Sequence, residues 1–111
     1  MESRIRKFLI TVFVLTFVLA CIDPAAFAAD DAAATFKAKC AMCHGQDATG
    51  NTPMGKNFKI RDLTSPEAQK QSDADILATI TKGKNKMPEY GTKLTKDQIA
   101  DLQKFIRTLK K

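Results

Sequence analysis

Residues 40–45 read Cys40-Ala41-Met42-Cys43-His44-Gly45. The stretch holds two of the chain's three cysteines and its one histidine. Two soft sulfur donors and an imidazole within little more than one helical turn make a ligand-bearing segment. The rest of the chain is best understood by asking what that segment holds.

Upstream of it the sequence divides into three zones. Arg4, Arg6 and Lys7 give a basic start, an uncharged apolar run follows from Phe8 to Ile22, and Ala26-Phe27-Ala28 fits an A-x-A cleavage site. That order is the pattern of a secretory leader. The apolar run is shorter than the roughly 20 residues a membrane-spanning helix needs. Residues 1–28 are therefore expected to be a cleaved signal peptide, and residues 29–111 the single folded domain. Val18-Leu19-Ala20-Cys21 loosely resembles a lipobox, so Cys21 is an alternative, lipidated N-terminus. Only in that case would the protein be membrane-bound.

The exported domain is small, and four of the chain's seven phenylalanines (Phe8, Phe13, Phe17 and Phe27) leave with the leader. Phe36, Phe58, Phe105 and Tyr90 remain. So few large side chains bury little apolar surface. A domain of this kind needs a disulfide, a metal or a large cofactor to hold it together. Cys40 and Cys43 are three apart, and a bridge between them would close almost no loop. The chain carries a net charge of +6, but export removes nucleic acid as the reason for it.

The local signals are helical. Asp30 to Met42 reads as a helix, with acids at its positive end and Phe36 and Cys40 four apart on one face. Gly45 to Arg61 reads as a loop. Ser65-Pro66-Glu67 opens a short helix. Ser72 caps another that carries Ile76, Leu77 and Ile80 and stops at Gly83. Asn85 to Lys93 is a loop around Met87-Pro88. Thr95 and Gln98 form a capping box, flanked by Leu94 and Ile99 as a staple. Ile99, Leu102, Ile106 and Leu109 then recur at three and four. The expected class is all-α, three to four helices joined by loops large enough to wrap a cofactor.

Cys-x-x-Cys-His is the attachment signature of c-type haem. Haem carries vinyl groups on neighbouring pyrroles, and thiols at i and i+3 of one turn can reach both. The residue after the second thiol then lies beneath the ring. Cys40 and Cys43 are thus expected to tether the haem, and His44 to be the proximal iron ligand. A thioredoxin-like pair would sit in a βαβ unit, and a zinc site would want a fourth ligand. Without a second histidine, the sixth iron ligand must be a methionine, or the distal site is open. Met42 lies between the tethering thiols and Met54 only ten residues past His44. Met87, stiffened by Pro88 and brought from the second half of the chain, is the expected ligand for both reach and softness.

KCAMCHG, NTPMGK, LTSPEAQ and the stretch from SDADILATITKGKNKMPEYG to the C-terminus together resemble the small class I cytochromes c, single-haem carriers of bacterial periplasms and photosynthetic lumens. The likeness covers nearly the whole exported domain. It implies the cytochrome c fold, with the N- and C-terminal helices crossing and Phe36 meeting the region of Leu102, Phe105 and Ile106. Ala32 would stand at the crossing, where family members often have glycine. It implies that the backbone carbonyl of Pro53 accepts the second N–H of His44, and that Tyr90 lines the haem crevice. The implied function is non-enzymatic: a monomeric one-electron carrier with one haem c and His/Met ligation. By charge, Lys82, Lys84, Lys86 and Lys93 flank the Met87 loop, and Lys56 and Lys59 lie in the other loop expected to border the ring. This basic rim would steer the carrier to acidic patches on redox partners, such as a reductase complex and a terminal oxidase. The competing class is a haem enzyme or gas-binding protein with an open distal site.

Overall fold

The computed structural model describes the backbone of residues 1–19 and 24–111, and the side chains of residues 1–13 and 31–111. Seven helices follow one another among them: α1 (Glu2–Leu19), α2 (Pro24–Lys39), α3 (Ala41–His44), α4 (Pro53–Asn57), α5 (Pro66–Gln69), α6 (Asp73–Lys82) and α7 (Lys96–Thr108). The described residues form no strand, only one isolated antiparallel bridge between Lys84 and Met87. The fold is all-α, as expected.

Helix α1 takes in the apolar run as far as Leu19, and its Ile5, Phe8, Leu9, Ile10 and Phe13 are exposed. Among the described residues no helix is long and apolar enough to cross a membrane. Cys21 lies outside the described residues.

Helix α2 starts earlier and ends sooner than the expected span 30–42. Pro24 at its first position is pre-set for a helix, and the alanines after it are strong helix formers. The break falls at Cys40. The Cys40 amide still bonds to Phe36 O (2.8 Å), but the Cys43 and His44 amides both turn onto Cys40 O (3.1 and 2.9 Å). The cysteine–histidine segment thus forms a separate turn, α3.

Three caps fall where the sequence puts them. Ser65, Ser72 and Thr95 each accept a hydrogen bond from the amide three residues on. Thr95 and Gln98 complete the reciprocal box, at 3.1 and 2.9 Å. Gly83 closes α6 with φ +73°. A fourth cap was not expected. Thr52 caps α4, with Pro53 at its first position, inside the stretch read as a loop.

The core lies where α2 and α6 meet α7. Phe36 is 3% and Leu102 1% exposed, and Ile76, Ile80 and Ile99 join them. The stripe on α7 faces inward because its period matches the helix. Ala32 is buried, as a close approach of α2 to α7 requires.

Polar ties fix the lower half. Gln69 Nε2 donates to Leu63 O (2.8 Å) and Ile106 O (2.9 Å). The Arg107 guanidinium donates to Gln69 O (2.7 Å), Gln71 O and Asp73 Oδ1 (2.8 Å). The Arg107 bonds to Gln69 O and Gln71 O satisfy carbonyls left open where α5 ends.

Candidate haem site

The structure brings Cys40, Cys43, His44, Met87 and Tyr90 to one cavity of about 330 Å³. Phe36, Leu63, Ile76, Ile80, Leu102 and Ile106 make its wall apolar. Helix α3 presents the cysteine–histidine segment, and the loop after α6 presents Met87 and Tyr90.

The cysteine–histidine segment is held by the loop that follows it. Gly50 N donates to His44 O (2.7 Å). Thr52 Oγ1 donates to Cys43 O (2.7 Å) while accepting from Gly55 N (2.8 Å). Gly55 is required there: a Cβ would stand 2.0 Å from Gly50 O and 2.7 Å from Cys43 O. Thr52 and Gly55 were not foreseen. The Thr-Pro pair was a visible cap signal of the same form as Ser65-Pro66.

Pro53 starts α4. It is exposed at the first turn of α4 and does not line the cavity. The hydrogen bond expected from His44 to its carbonyl is not made, because Nδ1 of His44 is buried without a partner. The contact from this turn back to the motif is made instead by the neighbouring Thr52 side chain.

The methionines separate by burial. Met42 is 76% and Met54 39% exposed, and neither lines the cavity. Met87 is half-buried, packs against the core and lines the cavity. A tight turn sets it: Met87 N donates to Lys84 O (3.0 Å) and Lys84 N to Met87 O (3.1 Å). Gly83 lets this strand pass, since a Cβ there would come within 2.6 Å of Met87 O.

The titratable groups are tuned by burial. Burial lowers the pKa of His44, so its imidazole is neutral at pH 7 and keeps a lone pair for a metal. The Cys40 thiol is pushed up to about 11, mainly by burial and further by neighbouring Cys43, with Lys39 opposing. Such a thiol is not the activated thiolate of a redox pair. Burial also raises Tyr90, and Cys40 and Cys43 add to it.

These residues fit a covalently held haem. Both thiols are free and half-buried at the cavity, the half-buried imidazole is neutral at pH 7, a thioether lines the same space and the walls are apolar. Lys39, Lys59, Arg61, Lys84 and Lys86 stand at its edge. Of the six lysines read from the sequence, Lys59, Lys84 and Lys86 line the cavity and Lys56, Lys82 and Lys93 do not; Lys39 and Arg61 join the rim in their place.

The family described as cytochrome c oxidase, cbb3-type, subunit III matches residues 27–106. The chain is 33% identical over 104 residues to cytochrome c6 of Synechococcus sp., covering 90% of each chain. It is 32% identical over 107 residues to cytochrome c6 of Rippkaea orientalis, covering 94% of this chain and 91% of that one. It is also similar to the cbb3-type cytochrome c oxidase subunit FixP of Azorhizobium caulinodans, at 36% identity over 74% of this chain and 27% of that one. Among solved structures, the KustC0563 c-type cytochrome superposes with a TM-score of 0.66 at 31% identity, covering 72% of this chain and 98% of that one.

Proposed function

This chain belongs to the small class I c-type cytochromes, and from that membership we infer that it is a single-haem electron carrier that exchanges electrons with other redox proteins. Its cofactor is haem c with its iron. The bound haem supplies a one-electron ferric–ferrous couple.

Each residue has a distinct part in this reading. Cys40 and Cys43 anchor the ring, and His44 offers its neutral imidazole as the proximal ligand. Met87 offers a thioether as the distal ligand, which favours the ferrous state and raises the potential relative to a second histidine. Thr52 and Gly55 hold the proximal turn, with Pro53 starting the helix that carries them. Tyr90 closes the cavity's side. The apolar wall from Phe36 to Ile106 keeps water out. Were His44 and Met87 both to hold the iron, substrate would find no open place on it, so we assign no catalysis.

Charge and targeting complete the proposal. The basic rim of Lys39, Lys59, Arg61, Lys84 and Lys86 suits acidic docking patches, and such attraction weakens with salt. Similarity to an oxidase subunit supports an oxidase complex as one partner; a reductase complex as the other follows only from the carrier reading itself. The leader reading places the carrier outside the cytoplasm as a monomer, with residues 1–28 removed. Mass spectrometry of the mature N-terminus distinguishes cleavage after Ala28 from lipidation at Cys21.

The observation that carries the reading is the meeting of Cys40, Cys43, His44 and Met87 at one cavity. The test is Met87→Ala. Loss of the oxidised protein's thioether-to-iron absorption band and a lower potential are expected. A spectrum and potential equal to the parent's would remove Met87 from the site.

A further inference from the structure

We propose that Tyr90 is a positioning residue whose hydroxyl fastens the Met87 loop to the helix end that carries Cys40. The proposal rests on ligation by Met87. It assigns the phenol a task beyond lining the cavity.

The acceptor exists because of the break at Cys40. In an unbroken helix the Cys43 amide would bond to Lys39 O. Here that amide bonds to Cys40 O (3.1 Å), which leaves the Lys39 carbonyl without its helical donor. Tyr90 Oη donates to it at 3.0 Å across 51 positions of chain. Among the described residues no other hydrogen bond joins residues 83–91 to residues 31–50.

The donor is rooted at its other end. Tyr90 N donates to Ile80 O and Gly91 N to Thr81 O, both at 3.0 Å, closing the last turn of α6. Lys93 N and Leu94 N donate to Tyr90 O at 3.0 and 2.9 Å. The Lys93 ammonium lies 5.5 Å from the centre of the Tyr90 ring. Between Gly83 and Tyr90 the chain is short and pinned by the Lys84–Met87 pair. Movement of Tyr90 therefore moves Met87, and the hydroxyl relates Met87 to the cysteine segment rather than to its own helix alone.

The test uses the haem-loaded parent, Tyr90→Phe and Met87→Ala. Three quantities are read: the denaturant concentration at which the thioether-to-iron band disappears, the midpoint of helix loss by circular dichroism, and the reduction potential. Phenylalanine keeps the ring and removes only the tie. For Tyr90→Phe the band-free population at a given denaturant concentration rises about two- to tenfold, the worth of one hydrogen bond. Its potential falls, and its band is lost well before its helices. A parent-like potential, or band and helices lost together, overturns the positioning role. If Met87→Ala keeps the band, the ligand assignment fails and this proposal with it. If Met87→Ala loses the band while Tyr90→Phe matches the parent, only the tie is wrong.

Discussion

The rings of Phe36 and Phe105 lie 5.4 Å apart, inclined at 51°, and so join α2 to α7. Phe36 also stands 6.3 Å from the His44 ring. One side chain thus belongs both to the helix interface and to the wall of the cavity. Phe36→Ala is expected to cost about 3–5 kcal/mol, the range for emptying a buried aromatic site. Denaturant unfolding measures it. Phe105 is only partly buried, so Phe105→Ala is expected to cost less.

Arg107 separates hydrogen bonding from surface charge. Its guanidinium meets two backbone carbonyls and Asp73, whose side chain is 65% exposed. Arg107→Ala is expected to destabilise by about 2–3 kcal/mol, because charged hydrogen bonds to Gln69 and Gln71 are lost. Asp73→Asn should cost less than about 1 kcal/mol and vary with salt. Equal losses in unfolding experiments would show that the ion pair, not the carbonyl clamp, matters.

Gly55 has no room for a side chain beside Gly50 O and Cys43 O. Gly55→Ala must push the proximal turn aside. The expected result is a lower yield of haem-loaded protein and a stability loss above about 1 kcal/mol. Optical and mass measurements of the purified variant check it.

The two perturbed groups of the motif predict opposite pH behaviour in haem-free protein. Burial raises Cys40 to about 11, so at pH 8 its alkylation should be roughly a hundredfold slower than that of an ordinary thiol. The rate should climb until about pH 11. For His44 the folded pKa lies below the unfolded one. Folding then disfavours the proton, so stability is intact above the unfolded pKa and falls as pH drops from there through the depressed value. Replacing His44 by Phe should flatten that part of the profile.

The sequence revealed most of this where one local signal sufficed. Ser65, Ser72 and Thr95 each announce a helix start, and the period of Ile99, Leu102 and Ile106 fixes the inward face of α7. The motif at residues 40–44 carries the expectation of haem attachment in its spacing alone. Contacts between distant segments were hidden. The Thr52 bond to Cys43 O, the Tyr90 bond to Lys39 O and the Arg107 clamp depend on how loops return to the core. The missed α4 is a different matter, since Thr52-Pro53 carried a cap signal that surrounding glycines obscured. The role of Pro53 comes from family likeness rather than from a local signal, and the contact from the turn it starts to the motif is the Thr52 bond to Cys43 O.

One haem bound through both cysteines is the claim on which the rest depends, and the intact mass of the purified protein, taken after acid–acetone extraction, tests it most directly. Expression alongside a haem-attachment system should give a red polypeptide that keeps its colour through extraction, one haem heavier than the bare chain, with no thiol left to alkylate at Cys40 or Cys43. A colourless chain of unmodified mass with both thiols open to alkylation would contradict the account.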